Sequence, residues 1–137
     1  MEEKGTFSIF TSNLFILEMT TQIELREMKF YAYHGVSPQE TAVGNTFIVD
    51  LRLTAPLQAA VASDRLEDTM NYAVIYQLVK GEMEQPSRLI EHVAGRILAS
   101  LHRNFPQISH IYLRLAKLNP PFGGDLHSAA VILEETY

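Results

Sequence analysis

Four segments of the chain have the hydrophobic pattern of β-strands. Apolar residues alternate with polar ones, or form a short apolar run, in residues 22–33, 45–57, 109–118 and 126–135. In the first segment the alternation changes parity between Leu25 and Met28. Because side chains of a strand repeat with a period of two, this change predicts a β-bulge near Arg26 and Glu27.

Two segments between the second and third predicted strands have a helical period instead. The apolar residues of each segment fall on one helical face, namely Tyr72, Ile75, Tyr76, Val79 and Met83 in the first and Leu89, Ile90, Val93, Ala94, Ile97, Leu98 and Leu101 in the second. Residues 85–87 separate the two predicted helices, and Asp68, Thr69 and Asn71 are candidate N-caps of the first one.

The order β-β-α-α-β-β predicts an α+β fold, with a four-stranded, mainly antiparallel sheet and two helices on one of its faces. Residues 34–44 contain Ser37-Pro38 and are too long for a tight hairpin, so they are predicted to form a shaped loop. Such a sheet has two open edges, which proteins usually cover or pair. We therefore expect a homo-oligomer.

The first 21 residues do not continue this pattern. Residues 7–17 are apolar but interrupted by serine, threonine and asparagine, and Glu2-Glu3-Lys4 precedes them instead of the positive start of a secretory signal. Met19 is an alternative start. We interpret residues 1–21 as an N-terminal appendage and residues 22–137 as one domain, and we expect a cytoplasmic protein.

Composition excludes several classes of function. The 137 residues carry a net charge of −5, whereas domains that bind nucleic acid are usually basic. The absence of cysteine excludes disulfides, thiolate zinc sites, iron–sulfur clusters and a cysteine nucleophile. No apolar run approaches the roughly 18 residues that a membrane-spanning helix needs. The five histidines have no metal-binding spacing, and phosphate-loop and serine-elbow motifs are absent, so no metal is predicted.

Four polar residues at the ends of apolar segments are candidates for chemistry. Lys117 ends a strand just before Asn-Pro-Pro, Glu91 lies in the first turn of the second helix, Tyr72 begins the first helix, and Glu40 lies in the loop. Each also has an ordinary structural explanation. Lys117 can be a solvated lysine, and Glu91 a carboxylate favoured by the helix dipole. Tyr72 can be a core tyrosine, and Glu40 an ordinary loop carboxylate.

Taken together, the motifs around these residues resemble the dihydroneopterin aldolase family. They are Tyr31-Ala-Tyr-His-Gly35 followed by Glu40 and Gly44, then Asp68-Thr-Met-Asn-Tyr72, Leu89-Ile-Glu-His92 and Lys117-Leu-Asn-Pro-Pro121. Their order and spacing match the family from residue 22 to about residue 135. The resemblance implies the T-fold (tunnelling fold), in which four subunits close their sheets into a barrel and two such rings commonly stack into an octamer.

The resemblance also implies a lyase activity in folate (tetrahydrofolate) biosynthesis. Dihydroneopterin aldolase cleaves 7,8-dihydroneopterin into 6-hydroxymethyl-7,8-dihydropterin and glycolaldehyde, and it can also epimerise the substrate at C2′. The C=N bond between N5 and C6 of the substrate ring accepts the electrons of the broken bond. The protein therefore needs only to bind, orient and transfer protons, without a cofactor, a metal or a Schiff base.

The resemblance assigns a role to each matching residue. Glu91 is similar to the carboxylate that binds two N–H donors of the pterin, and the backbone of Ile90 to an additional pterin contact. Lys117 resembles the catalytic lysine near N5. Tyr72 and Glu40 resemble the groups that hold or deprotonate the trihydroxypropyl chain, and in this family the tyrosine and the lysine come from different subunits. Arg88 and the Phe122-Gly-Gly loop depart from some relatives, which leaves the fine substrate contacts open.

Three alternatives remain at this point. A dihydroneopterin triphosphate epimerase shares the fold and the pterin anchor, but Tyr-His-Gly with Lys-x-Asn-Pro-Pro, and the lack of a basic cluster, favour the aldolase. A zinc-dependent T-fold enzyme is disfavoured by the histidine spacing. The third alternative is a non-catalytic pterin-binding scaffold. It would bind a pterin tightly but would not turn over dihydroneopterin.

Overall fold

The computed structural model describes residues 19–137, so most of the predicted appendage lies outside the described residues. The elements in chain order are β1 (Gln22–Ala32), α1 (Pro38–Val43), β2 (Asn45–Thr54), α2 (Gln58–Ser63), a 3₁₀ turn (Leu66–Asp68), α3 (Tyr72–Met83), α4 (Ile90–Asn104), β3 (His110–Leu118) and β4 (Ser128–Thr136). None of the helices described is long and apolar enough to cross a membrane.

The four strands form one antiparallel sheet in the order β1-β2-β3-β4, which confirms the predicted architecture. The predicted bulge is also present. Leu25 is paired with Leu51 and Met28 with Val49, so β1 contains one residue more than β2 between these pairs. Glu27 has φ +58°, and its N–H donates a hydrogen bond to Asp50 Oδ1 at 2.7 Å. The side chain of Asp50 thus satisfies a donor that the bulge removes from the ladder.

The long helices α3 and α4 cover one face of the sheet, as the sequence predicts. The inward residues of β2, which are spaced by two, are fully buried with the apolar stripes of the helices. The centre of this core consists of Phe47, Val49, Leu51, Leu53, Ile75, Val79, Met83, Val93, Ile97, Leu101, Leu113 and Leu115. This core packs α3 against β1 and α4 against β3 and β4.

The connection between β1 and β2 is more regular than predicted. Instead of a loop alone, it contains the six-residue helix α1. Pro38 occupies its first turn. The Ser37 hydroxyl accepts a hydrogen bond from the Glu40 N–H, and the Glu40 carboxylate accepts one from the Ser37 N–H. This reciprocal capping box satisfies donors that a short helix would otherwise leave free. Asn71 is confirmed as the N-cap of α3, since its Oδ1 accepts from the Ala73 N–H at 2.9 Å.

Two residues assigned to apolar stripes are not buried. Tyr72 is 68% exposed, so its interpretation as a core residue is wrong. It is the first residue of α3, and the helix reaches the sheet only one turn later, at Ile75. Leu89 is also exposed, because it is the N-cap of α4 and precedes the helical face that it was predicted to share.

Candidate active site

A cleft of about 380 Å³ lies where the end of β3 meets α1 and the start of α4. Its walls come from segments that are far apart in the sequence. The lining residues are Val36, Glu40, Arg88, Leu89, Ile90, Glu91, Lys117, Pro120, Pro121, Phe122 and Ala129. Four of the five predicted site residues therefore share one cleft.

Glu40 is fixed in this cleft by backbone N–H groups that immediately precede its own helix. Its Oε1 atom accepts hydrogen bonds from the N–H groups of Val36 at 3.1 Å and Ser37 at 3.3 Å. The sequence contained a signal for this arrangement, because Ser-x-x-Glu at positions 37–40 is the capping-box pattern. Ser37 was not recognised as a supporting residue of the site from the sequence.

Lys117 faces the other oxygen of this carboxylate. Its Nζ atom donates to Glu40 Oε2 at 2.7 Å, and the two side chains are only 15% and 14% exposed. The hydrogen bond from Lys117 is the main reason why the pKa of Glu40 is below its ordinary value, and the backbone donors of Ser37 and Val36 act in the same direction. Glu40 is therefore ionised at neutral pH.

The position of Lys117 follows from the pairing of two central strands. Lys117 is the register partner of Phe47 in β2, and its Nζ atom lies 5.9 Å from the centroid of the Phe47 ring. The Asn45 amide donates to the carbonyl oxygen of Leu118 at 2.8 Å and holds the end of β3 against β2. Beyond this point Asn119 adopts φ +43°, and the chain turns into the proline wall of the cleft.

Gly35 provides the space that the Glu40 side chain occupies. A Cβ atom at position 35 would collide with the Glu40 Cβ, lie 2.7 Å from its Cδ and 2.8 Å from its Oε1. These separations are far below ordinary van der Waals contact. A larger residue would displace the carboxylate from Lys117 or distort α1. The sequence alone assigns Gly35 no role beyond its place in a motif.

Ile90 and Glu91 enter the cleft at the start of α4. The N-cap of this helix, Leu89, has no side chain that can accept a hydrogen bond, so the first N–H groups are not capped by it. Glu91 lies in the first turn, where the helix dipole favours a carboxylate. Arg88 lines the same wall and forms no ion pair within residues 19–137.

Tyr72 is the one predicted site residue outside this cleft. It lies at the start of α3, with its side chain largely in solvent. The structure thus brings Glu40, Ile90, Glu91 and Lys117 together and leaves Tyr72 apart. Within residues 19–137, no three histidine, aspartate or glutamate side chains are grouped closely enough to hold a metal ion.

Comparisons with known proteins agree with one another. The profile of the dihydroneopterin aldolase family matches residues 23–134. The chain is 40% identical over 117 residues to a dihydroneopterin aldolase of Streptococcus pyogenes serotype M18, with 82% of this chain and 96% of the relative covered.

Two solved structures are similar to most of this chain. Escherichia coli dihydroneopterin aldolase in complex with neopterin has a TM-score of 0.77 at 22% identity, and covers 84% of this chain and 98% of its own. A Burkholderia dihydroneopterin aldolase bound to guanine has a TM-score of 0.71 at 19% identity, and covers 89% of this chain and 95% of its own. At these identities the two structures establish the T-fold of the chain.

Proposed function

Because this chain belongs to the dihydroneopterin aldolase family, we propose that it cleaves 7,8-dihydroneopterin into 6-hydroxymethyl-7,8-dihydropterin and glycolaldehyde. The observation that carries the proposal is the cleft that contains a partly buried Glu40–Lys117 ion pair beside Glu91. Residues 22–137 form the catalytic domain, and residues 1–21 take no part in the chemistry.

Glu91 and Ile90 bind the pterin ring in this proposal. The 2-amino-4-oxopyrimidine edge of a pterin presents two adjacent N–H donors, which match the two oxygens of one carboxylate. The backbone N–H of Ile90 at the start of α4 is available for an acceptor on the same edge. Guanine, which is bound by the Burkholderia relative, has the same edge, as has the neopterin in the Escherichia coli structure.

The bond cleavage needs proton transfers at three atoms. A proton leaves the 2′-hydroxyl as the C1′–C2′ bond breaks, the electron pair of that bond forms a C6=C1′ double bond, and N5 takes up a proton to give an enamine. Glycolaldehyde departs, and then a proton is added at C1′ while N5 gives up its proton, which restores the ring C=N and completes the hydroxymethyl group. Lys117 assists protonation near N5, while Glu40 and Tyr72 hold or deprotonate the hydroxyl groups.

The reaction in this proposal uses neither a Schiff base nor a metal, and the geometry of Lys117 supports the first of these two points. A lysine forms a Schiff base through the lone pair of its neutral amine. Here Nζ lies 2.7 Å from an ionised carboxylate and acts as the donor of a charge-assisted hydrogen bond. This arrangement suits a proton donor better than a nucleophile.

We propose a homo-oligomer because the cleft lacks Tyr72 and because β1 and β4 form the two edges of the sheet described here. Joining the β1 edge of one subunit to the β4 edge of the next closes a ring without free edges. Four subunits per ring and two stacked rings follow the pattern of the T-fold. Tyr72 of a neighbouring subunit then completes the site.

Arg88 keeps a second candidate function open. It lines the cleft without an ion pair inside residues 19–137, so it is a cation that can face the phosphates of dihydroneopterin triphosphate. An epimerase acting on that compound is the second candidate.

One incubation separates the candidates. The purified protein is mixed with 7,8-dihydroneopterin or with its triphosphate, and the products are separated by chromatography. Release of glycolaldehyde with 6-hydroxymethyl-7,8-dihydropterin supports the aldolase, and a C2′ epimer of the triphosphate alone supports the epimerase. Tight pterin binding without any product supports the non-catalytic scaffold and contradicts both enzymes.

A further inference from the structure

The segment between α3 and α4 is held at Ser87 from two directions. The Ser87 N–H donates to His34 Nδ1 at 3.0 Å, and the Ser87 carbonyl accepts from the Gly35 N–H at 3.0 Å. The Ser87 hydroxyl accepts from Arg96 Nη2, also at 3.0 Å. All three polar groups of this residue are therefore hydrogen-bonded.

Arg96 fixes the same segment from the side of α4. Its Nη2 also donates to the Gln85 carbonyl at 2.8 Å, and its Nη1 donates to the carbonyl and the carboxylate of Glu82 at 3.1 and 2.6 Å. The carboxylate of Glu82 and the guanidinium of Arg96 are mostly buried. This arginine keeps the end of α3 and the approach to α4 in one position.

The hydrogen bond from Ser87 to His34 requires burial of the imidazole ring, which is energetically unfavourable. His34 is 1% exposed and lies edge-on to Phe47 with 5.2 Å between ring centroids. Its Nε2 makes no hydrogen bond of standard geometry within residues 19–137, although the backbone of Met83 lies close enough to the ring to raise its pKa slightly against the effect of burial. Because Nδ1 accepts a hydrogen bond, the proton of the neutral ring lies on Nε2. A buried N–H without a well-formed hydrogen bond is unfavourable, so packing alone would favour an apolar side chain here. What the histidine adds is the acceptor for Ser87.

His34 and Gly35 also connect the two ends of the cleft. Through Ser87, which precedes Glu91 by four residues, they hold the start of α4. Through the Cα of Gly35 they contact the Glu40 side chain. We propose that His34 and Gly35 are positioning residues that set the separation between the pterin anchor at Glu91 and the Glu40–Lys117 pair. This inference rests on the proposed function for the meaning of that separation.

A pair of His34 variants tests the inference. His34→Asn keeps an acceptor near the position of Nδ1, whereas His34→Leu removes it at similar volume. We expect His34→Leu to raise the Kd for neopterin about tenfold and to lower kcat for 7,8-dihydroneopterin roughly 10–100-fold. His34→Asn should restore both values to within about threefold of the wild type, because the acceptor supplies most of the contact.

The controls separate positioning from stability. His110→Leu makes the same substitution at the opposite end of β3 from Lys117 and should leave Kd and kcat unchanged. If His34→Leu does not fold, His34→Gln serves in its place, since its amide reaches the position of Nε2 and not that of Nδ1. A folded acceptor-free variant with an unchanged Kd and kcat, or a His34→Asn variant that restores neither, would overturn the inference.

Different results would contradict the proposed aldolase function and the positioning role of His34. Calorimetry with neopterin reports on the anchor even in the absence of turnover. A wild-type protein that binds neopterin without cleaving dihydroneopterin contradicts the proposed function, while the Kd values of the variants still decide the role of His34. A wild-type protein that binds no pterin contradicts both.

Discussion

The carboxylate of Glu40 joins two parts of the chain that are 77 residues apart, since one oxygen accepts from Lys117 and the other from the backbone at the start of α1. The same side chain thus completes a helix cap and holds the lysine of the cleft. Neither contact requires substrate, so the ion pair is formed before binding. Such preorganisation lowers the cost of orienting a proton donor during the reaction.

Lys117→Ala should reduce kcat much more than it weakens pterin binding. Removing a positioned acid–base group typically costs about 10²–10⁴-fold in rate, while the proposed anchor at Glu91 remains. Steady-state kinetics and calorimetry with neopterin measure the two effects. Lys80→Ala, which removes an exposed lysine of α3, is the matched control. A fully active Lys117→Ala enzyme would contradict the assignment of this residue.

Borohydride should trap no covalent intermediate on the wild-type enzyme, and EDTA should not lower its rate. Without a Schiff base, borohydride added during turnover leaves no substrate-linked mass on the protein. Without a required metal, prolonged treatment with EDTA leaves the rate unchanged. Mass spectrometry and a rate assay check these results. An adduct at Lys117 would show covalent catalysis, and loss of activity that zinc restores would show a metal enzyme.

Glu91→Gln should weaken pterin binding by about 2–4 kcal/mol. The substitution keeps the shape but replaces an acceptor with a donor that faces the N–H groups of the pterin edge. A calorimetric titration with neopterin measures the change. Glu84→Gln, at an exposed position at the end of α3, is the control. Unchanged affinity in Glu91→Gln would leave this carboxylate with only its role at the helix dipole.

Gly35→Ala should lower kcat roughly 10–100-fold, because the new Cβ occupies the space of the Glu40 side chain and separates the carboxylate from Lys117. Gly81→Ala is the control, since a Cβ at that position of α3 meets no atom within 4 Å. It should keep full activity and raise the free energy of unfolding by about 0.5–1 kcal/mol, as expected for alanine in a helix. Equal kinetics for the two variants would show that the space at Gly35 is not required.

The free energy of unfolding should fall as the pH decreases from about 6.5 to about 4. Burial lowers the pKa of His34 from 6.5 to about 4, and the positive charges of Arg96 and Lys117 add to this effect. Between these values the unfolded chain binds a proton that the folded state does not, so acid favours unfolding. A shift of this size corresponds to at most about 3 kcal/mol.

Urea titrations of wild type and His34→Asn at pH 7, 6 and 5 test this expectation. The variant should show a flatter dependence on pH, because it lacks the titrating ring. Glu40 also loses stabilisation in acid, since its pKa is lowered, but only below its ordinary value of 4.5. Between pH 7 and 5, the difference in slope between the two proteins therefore reports on His34, because the other four histidines are common to both. Parallel slopes for the two proteins in that range would contradict the prediction.

Mixing two inactive variants should restore activity if each site is shared between subunits. Tyr72→Phe and Lys117→Ala oligomers are combined, partly dissociated and reassembled, so that some sites receive an intact tyrosine from one chain and an intact lysine from the other. Light scattering should show an oligomer before dissociation and again after reassembly. A fully active monomer, or reassembled mixed oligomers without recovered activity, would contradict the shared site.

Much of the local structure could be predicted from the sequence. The period of two in residues 45–57 predicted β2, the parity change predicted the bulge of β1, and the Asn71 cap was among the candidates. The same patterns predicted that Glu91 lies in the first turn of α4. Each of these features depends on residues close together in the chain, so the order of residue types is sufficient to specify them.

The tertiary structure alone decided which candidates meet. Lys117 reaches Glu40 because the register of β2 with β3 sets Lys117 opposite Phe47, and because Gly35 leaves room for the carboxylate. Tyr72 follows the helical period of α3 but lies in solvent, since the sheet begins to cover the helix only at Ile75. Periodicity predicts on which face of a helix a side chain lies. It does not predict how much of that face the sheet covers. Contacts across 77 residues depend on strand register and packing, which no local pattern contains.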